Sequence, residues 1–192
     1  MTRHADHPIE SMFIERWSPR AMSGATLPEA ELMRLFEAAR WAPSAMNAQP
    51  WRFRYARAET PYFQTFLQVL VPANQLWCKR AGALVAVLAK THFDSGKPSP
   101  THHFDTGAAY MSLALQGSRM GLVVHGVGGF DSEAARTALQ VPADHSIACF
   151  VALGYPGDKN DLPEALAARE APSPRLAVSE LAAEGPFQAK GT

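Results

Sequence analysis

Arg16, Ser18 and Arg20 stand at alternate positions in the string RWSPR. In an extended segment alternate side chains share one face, so two guanidinium groups and a hydroxyl would converge there. That donor set suits a phosphate monoester: each arginine can offer paired hydrogen bonds to its oxygens, and the serine adds another donor. The same string also reads as a solvated basic turn. Farther along, residues 42–51, APSAMNAQPW, carry Asn47 and Gln49 between Pro43 and Pro50. Their amides combine donors and acceptors, which suits the edge of a heteroaromatic ring, or else they satisfy the backbone of a stiff loop.

The run HGVGGF, residues 125–130, lacks the GxGxxG spacing of a dinucleotide-binding turn, and a Rossmann reading is rejected. Gly128 and Gly129 would allow close approach of backbone to a ligand, or form an ordinary strand-to-helix turn. His102, His103 and Asp105 look like a metal cluster, yet no second pair of ligands follows at helical spacing, so no metal is assigned. Cys78 adjoins Lys79 and Arg80, but no thiol motif accompanies it, and it reads as a buried structural cysteine.

The elements that must position these groups follow from periodicity. Thr26 and Glu29 are spaced as a capping box, and Leu32, Leu35, Phe36 and Ala39 predict a helix over 27–41. Trp51, Phe53 and Tyr55 alternate with Arg52, Arg54 and Ala56 as in a half-buried strand. Thr60 and Pro61 predict the start of a second helix that ends near Pro72. The apolar run 83–89 reads as a buried strand and 91–103 as a mobile polar excursion. A long helix over 105–120, rich in small residues, ends at Gly121. A strand over 122–127, a helix over 134–139 capped by Asp131, and a strand over 147–153 complete the pattern. The class is α+β or α/β.

With 192 residues the chain fits one domain, and residues 155–192 form a weakly patterned tail. Its 18 Lys plus Arg balance 18 Asp plus Glu, so neither nucleic acid nor an anionic membrane is an expected partner. The longest apolar run falls far short of a membrane helix, which needs ~20 residues. The start of the sequence carries no apolar signal core, and the two cysteines do not suggest a disulfide framework, so a cytoplasmic location is expected.

Taken in order, RWSPR, AARWAPSAMNAQPWRF, Asn74 with Trp77, the small-residue helix, GVGGFD and ALGYPGD make the chain resemble the nitroreductase family over roughly residues 13–180. The resemblance implies an α+β fold, a mixed sheet flanked by helices, in an intertwined homodimer whose tail, residues 155–192, wraps the partner. It implies non-covalent FMN, with Arg16, Ser18, Arg20 and Arg175 about its phosphate and Trp17 among the residues that bind the cofactor. Pro43, Ser44, Ala45 and Asn47 would lie against the isoalloxazine ring, partly from the second subunit, with Gln49 assisting. Asn74 would meet the ring's pyrimidine end, and the backbone N–H groups of Gly128 and Gly129 would face flavin N5.

The implied reaction passes hydride from NAD(P)H through flavin N5 to a small electron-poor acceptor such as a nitroaromatic, quinone or enone. No side-chain nucleophile is expected, since the cofactor carries the chemistry. His102, His103 and Phe104 are expected as a lid. Gly128, where some members carry an acidic residue, and Trp77, where some have a nearby cation, depart from the family pattern and bear on substrate choice. The alternatives are another flavin reaction on the same fold (dehalogenation, aldehyde reduction, flavin breakdown), a non-catalytic flavin-binding protein, or an interaction domain without a ligand.

Overall fold

Seven consecutive apolar residues, Ala83 to Ala89, are buried because their strand has an apolar layer on each face. The computed structural model describes residues 3–187. Four strands, β1 (Trp51–Arg57), β2 (Ala83–Lys90), β3 (Val123–Val127) and β4 (His145–Gly154), form one sheet in the order β1-β2-β4-β3, antiparallel at every pairing. The helices are α1 (Ser11–Glu15), α2 (Glu29–Arg40), α3 (Phe63–Gln68), α4 (Pro72–Cys78), α5 (His102–Arg119), α6 (Ser132–Ala138), α7 (Glu164–Ala167) and α8 (Val178–Leu181). This is an α+β architecture, and the expected sheet flanked by helices takes an antiparallel form within this chain. Among the described residues no helix is long and apolar enough to cross a membrane.

Strand alternation divides the core in two. Leu84, Ala86 and Leu88 of β2, with Phe150 and Ala152 of β4, face a cluster containing Phe63, Phe66, Leu70 and Trp77 from α3, α4 and the segment between them. Val85, Val87, Val151 and Leu153 face Leu32 and Leu35 of α2 and Leu113 of α5. A Cβ at Gly117 would collide with Val124 of β3, so this glycine of α5 serves close packing on the sheet, whereas a Cβ at Gly107 would meet nothing within 4 Å. Edge strand β1 is half-buried as expected, with Phe36 of α2 stacked on Phe53 at 5.1 Å, except that Ala56, expected on the open face with Arg52 and Arg54, is buried in the other layer.

Several expectations are corrected at element ends. The capping box at α2 does not form: Pro28 is the N-cap, and the Glu29 carboxylate accepts from the Tyr55 hydroxyl at 2.9 Å. Thr60 does not cap a helix, because its hydroxyl donates back to the Arg57 carbonyl at 2.8 Å. The predicted second helix is α3, which starts later than expected, at Phe63, and ends at Gln68; Pro72, expected near its end, opens a further helix, α4, where its missing N–H is harmless. Helix α5 begins at His102, and α1 was not expected. The polar excursion is a tied hairpin, with Phe93 N–H donating to the Lys97 carbonyl at 2.8 Å and His92 bridged to Pro98. By contrast, Asp131 does cap α6, accepting from Glu133 and Ala134 N–H.

The tail runs back along its own chain. Met22 bridges Pro156, Gly157 N–H donates to the Ala21 carbonyl, and Val178 N–H donates to the Asp6 carboxylate at 2.8 Å.

Candidate flavin-phosphate site

Beyond α1 the chain leaves helical geometry, and its next residues share a cavity of about 370 Å³ with the tail. Arg16, Trp17, Ser18 and Arg20 line it from one side, and Arg169, Ser173 and Arg175 from the other, with Arg3 and His125. Arg16 Nη1 donates to Ser18 Oγ at 3.1 Å, which is the convergence expected of alternate positions. Arg3 donates to the carbonyls of Ile14, Arg16 and Ser173. Desolvation, and then the like charges of Arg175 and Arg16, hold the Arg3 guanidinium below its usual pKa. Five arginines line the cavity, and with the Glu170 carboxylate 3.9 Å from Arg20 it stays net cationic, a charge that a phosphate dianion would neutralise. The donor set fits the phosphate of FMN.

From this cavity a chain of contacts leads to the glycine loop. The His125 ring nitrogen Nδ1 lies 2.9 Å from the Pro19 carbonyl, to which it must donate, and the ring lies against Trp77 with centroids 4.6 Å apart. Burial is the main cause of a lowered His125 pKa; the bond to Pro19 opposes it and the charge of Arg20 adds to it. Trp77 Nε1 donates to Asn74 Oδ1 at 3.4 Å, and Asn74 Nδ2 donates to the Gly129 carbonyl at 3.0 Å. Asn74 thus joins α4 to the glycine loop. A Cβ at Gly129 would meet Asn74 Nδ2 at 2.7 Å, so this glycine answers to a neighbour inside the fold. A Cβ at Gly128 would meet nothing within 4 Å, which leaves that exposed backbone open to a ligand.

The loop between α2 and β1 is strained. Met46, Asn47 and Gln49 all adopt φ between 47° and 54°, a left-handed conformation costly to non-glycine residues. Among the contacts that hold it, Ser44 Oγ accepts from Gln49 N–H at 3.0 Å, the Ser44 carbonyl accepts from Asn47 N–H, and Asp105 Oδ2 accepts from Ala45 N–H at 3.2 Å. Thr101 also donates to Asp105 at 3.0 Å, which fixes the buried carboxylate at the start of α5. Asn47 and Gln49 border a separate cavity of about 750 Å³ with Arg52, Phe93 and Lys97. Pro43, Ser44 and Ala45 line neither cavity.

The predicted residues therefore fall into three groups: the arginine cavity, the Asn74 and glycine-loop contacts, and the strained loop. His102 and His103 start α5, where His102 Nδ1 contacts the Ser99 carbonyl at 2.6 Å, and with Phe104 they line neither cavity. Burial pushes the Cys78 thiol up to about 12 and Cys149 to about 11, which does not favour thiolate chemistry. Among the described residues no group of three or more His, Cys, Asp or Glu is placed to hold a metal ion. Arg3, Arg169, His125 and Glu170 were not anticipated as site residues, because only the fold brings them to RWSPR.

Comparison with known proteins gives the family. The model of the family described as "Nitroreductase family" matches residues 14–63 and 54–155. The chain belongs to the nitroreductase family. A solved structure described as an oxidoreductase containing FMN is 41% identical, covers 98% of this chain and 97% of its own, and superposes with a TM-score of 0.94. A protein of Archaeoglobus fulgidus that bears the name NADH dehydrogenase/NAD(P)H nitroreductase is 28% identical, over 80% of this chain and 88% of its own. A nitroreductase-type structure from Desulfovibrio desulfuricans in complex with FMN shares the fold at 23% identity and a TM-score of 0.73, covering 96% of this chain and all of its own. As a member of this family, the chain is an oxidoreductase of FMN type.

Proposed function

We propose that this nitroreductase-family protein binds FMN through the arginine cavity and passes hydride from NAD(P)H to a small electron-poor acceptor such as a nitroaromatic, quinone or enone. The observation that carries this reading is the convergence of Arg16, Ser18 and Arg20 with Arg175 on one cationic cavity, although more than 150 residues separate them in sequence. FMN, when bound, supplies reversible hydride transfer at N5. The chain's own residues anchor the phosphate, hold the strained loop rigid and keep the Gly128 backbone accessible beside Asn74 and Trp77.

The working form is a homodimer. Trp41, Met46 and Phe104 are 75%, 88% and 81% exposed, and the Ala45–Asp105 contact draws the strained loop to the start of α5 near Phe104. Exposed apolar side chains gathered around a strained loop suit a subunit interface. A second subunit would bring its own strained loop to a flavin whose phosphate is held here. Two free thiols, Cys78 and Cys149, accord with a cytoplasmic setting.

The test is direct. Purified protein should show flavin absorbance bands, apoprotein should bind FMN, and NADH or NADPH should bleach the bound flavin until a nitroaromatic or quinone restores it. A folded wild type that does not bind FMN would overturn the proposal.

A further inference from the structure

Glu170 lies on the tail between two arginines of the cavity, Arg169 and Arg175. Its side chain is only 4% exposed. Oε1 accepts from the backbone N–H groups of both Arg20 and Ala21, at 2.5 and 2.8 Å. Oε2 is buried with no hydrogen-bond partner among the described residues and lies 3.9 Å from Arg20 Nη1. A buried carboxylate beside an anion-binding cavity is electrostatically adverse to that cavity's ligand. Its geometry explains why it is there: a single oxygen closes two backbone donors of the turn that carries Arg16, Ser18 and Arg20.

We infer that Glu170 is a positioning residue for the phosphate site. It latches tail residues 169–175 onto the RWSPR turn, so that the two walls of the cavity are built by one chain. Arg3 makes the companion tie, joining the Ser173 carbonyl of the tail to the carbonyls of Ile14 and Arg16. Glu170 acts through the hydrogen-bond acceptor and not through its charge. The two contributions have opposite sign for anion binding, and this makes them separable. Glu170→Gln keeps a carbonyl oxygen for both N–H groups and removes the negative charge. Glu170→Ala removes both.

The role toward flavin rests on the proposed function, whereas the latch does not, so the experiment has two arms. In the apoprotein, hydrogen exchange of the Arg20 and Ala21 amides and chymotryptic cleavage at Leu176 report the latch. Both should accelerate at least tenfold in Glu170→Ala and stay near wild type in Glu170→Gln. In the second arm, FMN titration and competition by inorganic phosphate should show a loss of at least tenfold in affinity for Glu170→Ala, and wild-type or tighter binding for Glu170→Gln. Unchanged exchange and cleavage in Glu170→Ala, or equal loss in both variants, overturns the inference. Wild type that binds no FMN, with the latch signature intact, would instead remove the flavin reading and leave the latch.

Discussion

Asn74 Nδ2 donates to the Gly129 carbonyl at 3.0 Å, and the same nitrogen occupies the space that a Cβ at Gly129 would need. Gly129→Ala should therefore destabilise the protein by about 1–3 kcal/mol, the usual penalty for overpacking. Asn74→Ala removes the obstruction, so the double variant should lose less than the sum of the two singles in urea unfolding. Gly128→Ala, with open space above it, should stay within about 0.5 kcal/mol of wild type. Equal destabilisation by the two alanines would contradict this account.

Arg16 and Arg20 donate to the cavity from one turn. Replacing either with alanine should weaken FMN binding by roughly 1.5–3 kcal/mol, the range for hydrogen bonds to charged groups. Fluorescence titration measures the loss, and an unchanged far-ultraviolet circular dichroism spectrum would show that the fold persists. Affinity in the single variants should also fall less steeply with salt than in wild type, because each removes a phosphate-facing charge.

How much of this was legible beforehand depended on whether the cause was local. Strand β2 could be read from its apolar run, since both of its faces are covered, and α6 from Asp131, whose carboxylate caps it. The start of α3 could not be read that way. Thr60 and Pro61 look like a helix start, but the Thr60 hydroxyl is drawn to the end of β1. At the site, alternate spacing brought Arg16, Ser18 and Arg20 into view. Arg3, Arg169 and Glu170 carry no local pattern, because their place is set by how the tail returns across the N-terminal segment. Strain at Met46, Asn47 and Gln49 was equally hidden, since none of these residues is the glycine that positive φ would suggest.

His125 gives the acid limb of stability a definite sign. Its folded pKa lies below the ordinary histidine value of 6.5, so between the folded value and 6.5 the unfolded chain binds more protons. Stability from this residue is complete above pH 6.5 and is lost as pH falls through the folded pKa. Urea midpoints at pH 7.5 and pH 5 should differ more for wild type than for His125→Gln. A wild-type midpoint that rises on acidification, with the variant flat, would refute the assignment.

Met46 is the place to measure loop strain, because its side chain is exposed and contributes little packing. In Met46→Gly, relief of about 1–2 kcal/mol from left-handed geometry is offset by roughly 0.5–1 kcal/mol of backbone entropy, giving neutral or slightly raised stability. Met46→Val, β-branched at a positive φ, should destabilise. Thermal melts of the two variants should separate in that direction, and a Gly variant much less stable than Val would show that the loop is not strained there.

The order β1-β2-β4-β3 has a kinetic consequence. The central pairing joins Ala83 to Leu153 and Lys90 to His145, so among the four strands only the β1–β2 contact can form before β3 and β4 are made. During synthesis β2 emerges with α2 on one face and α3 and α4 on the other already made, but its edge toward β4 stays open, and it waits for α5 and β3 before that partner arrives. Non-local pairing of this kind slows folding. The nascent chain will therefore be most vulnerable to aggregation in the interval between the appearance of residue 90 and that of residue 145, and truncations in that interval should be captured by chaperones.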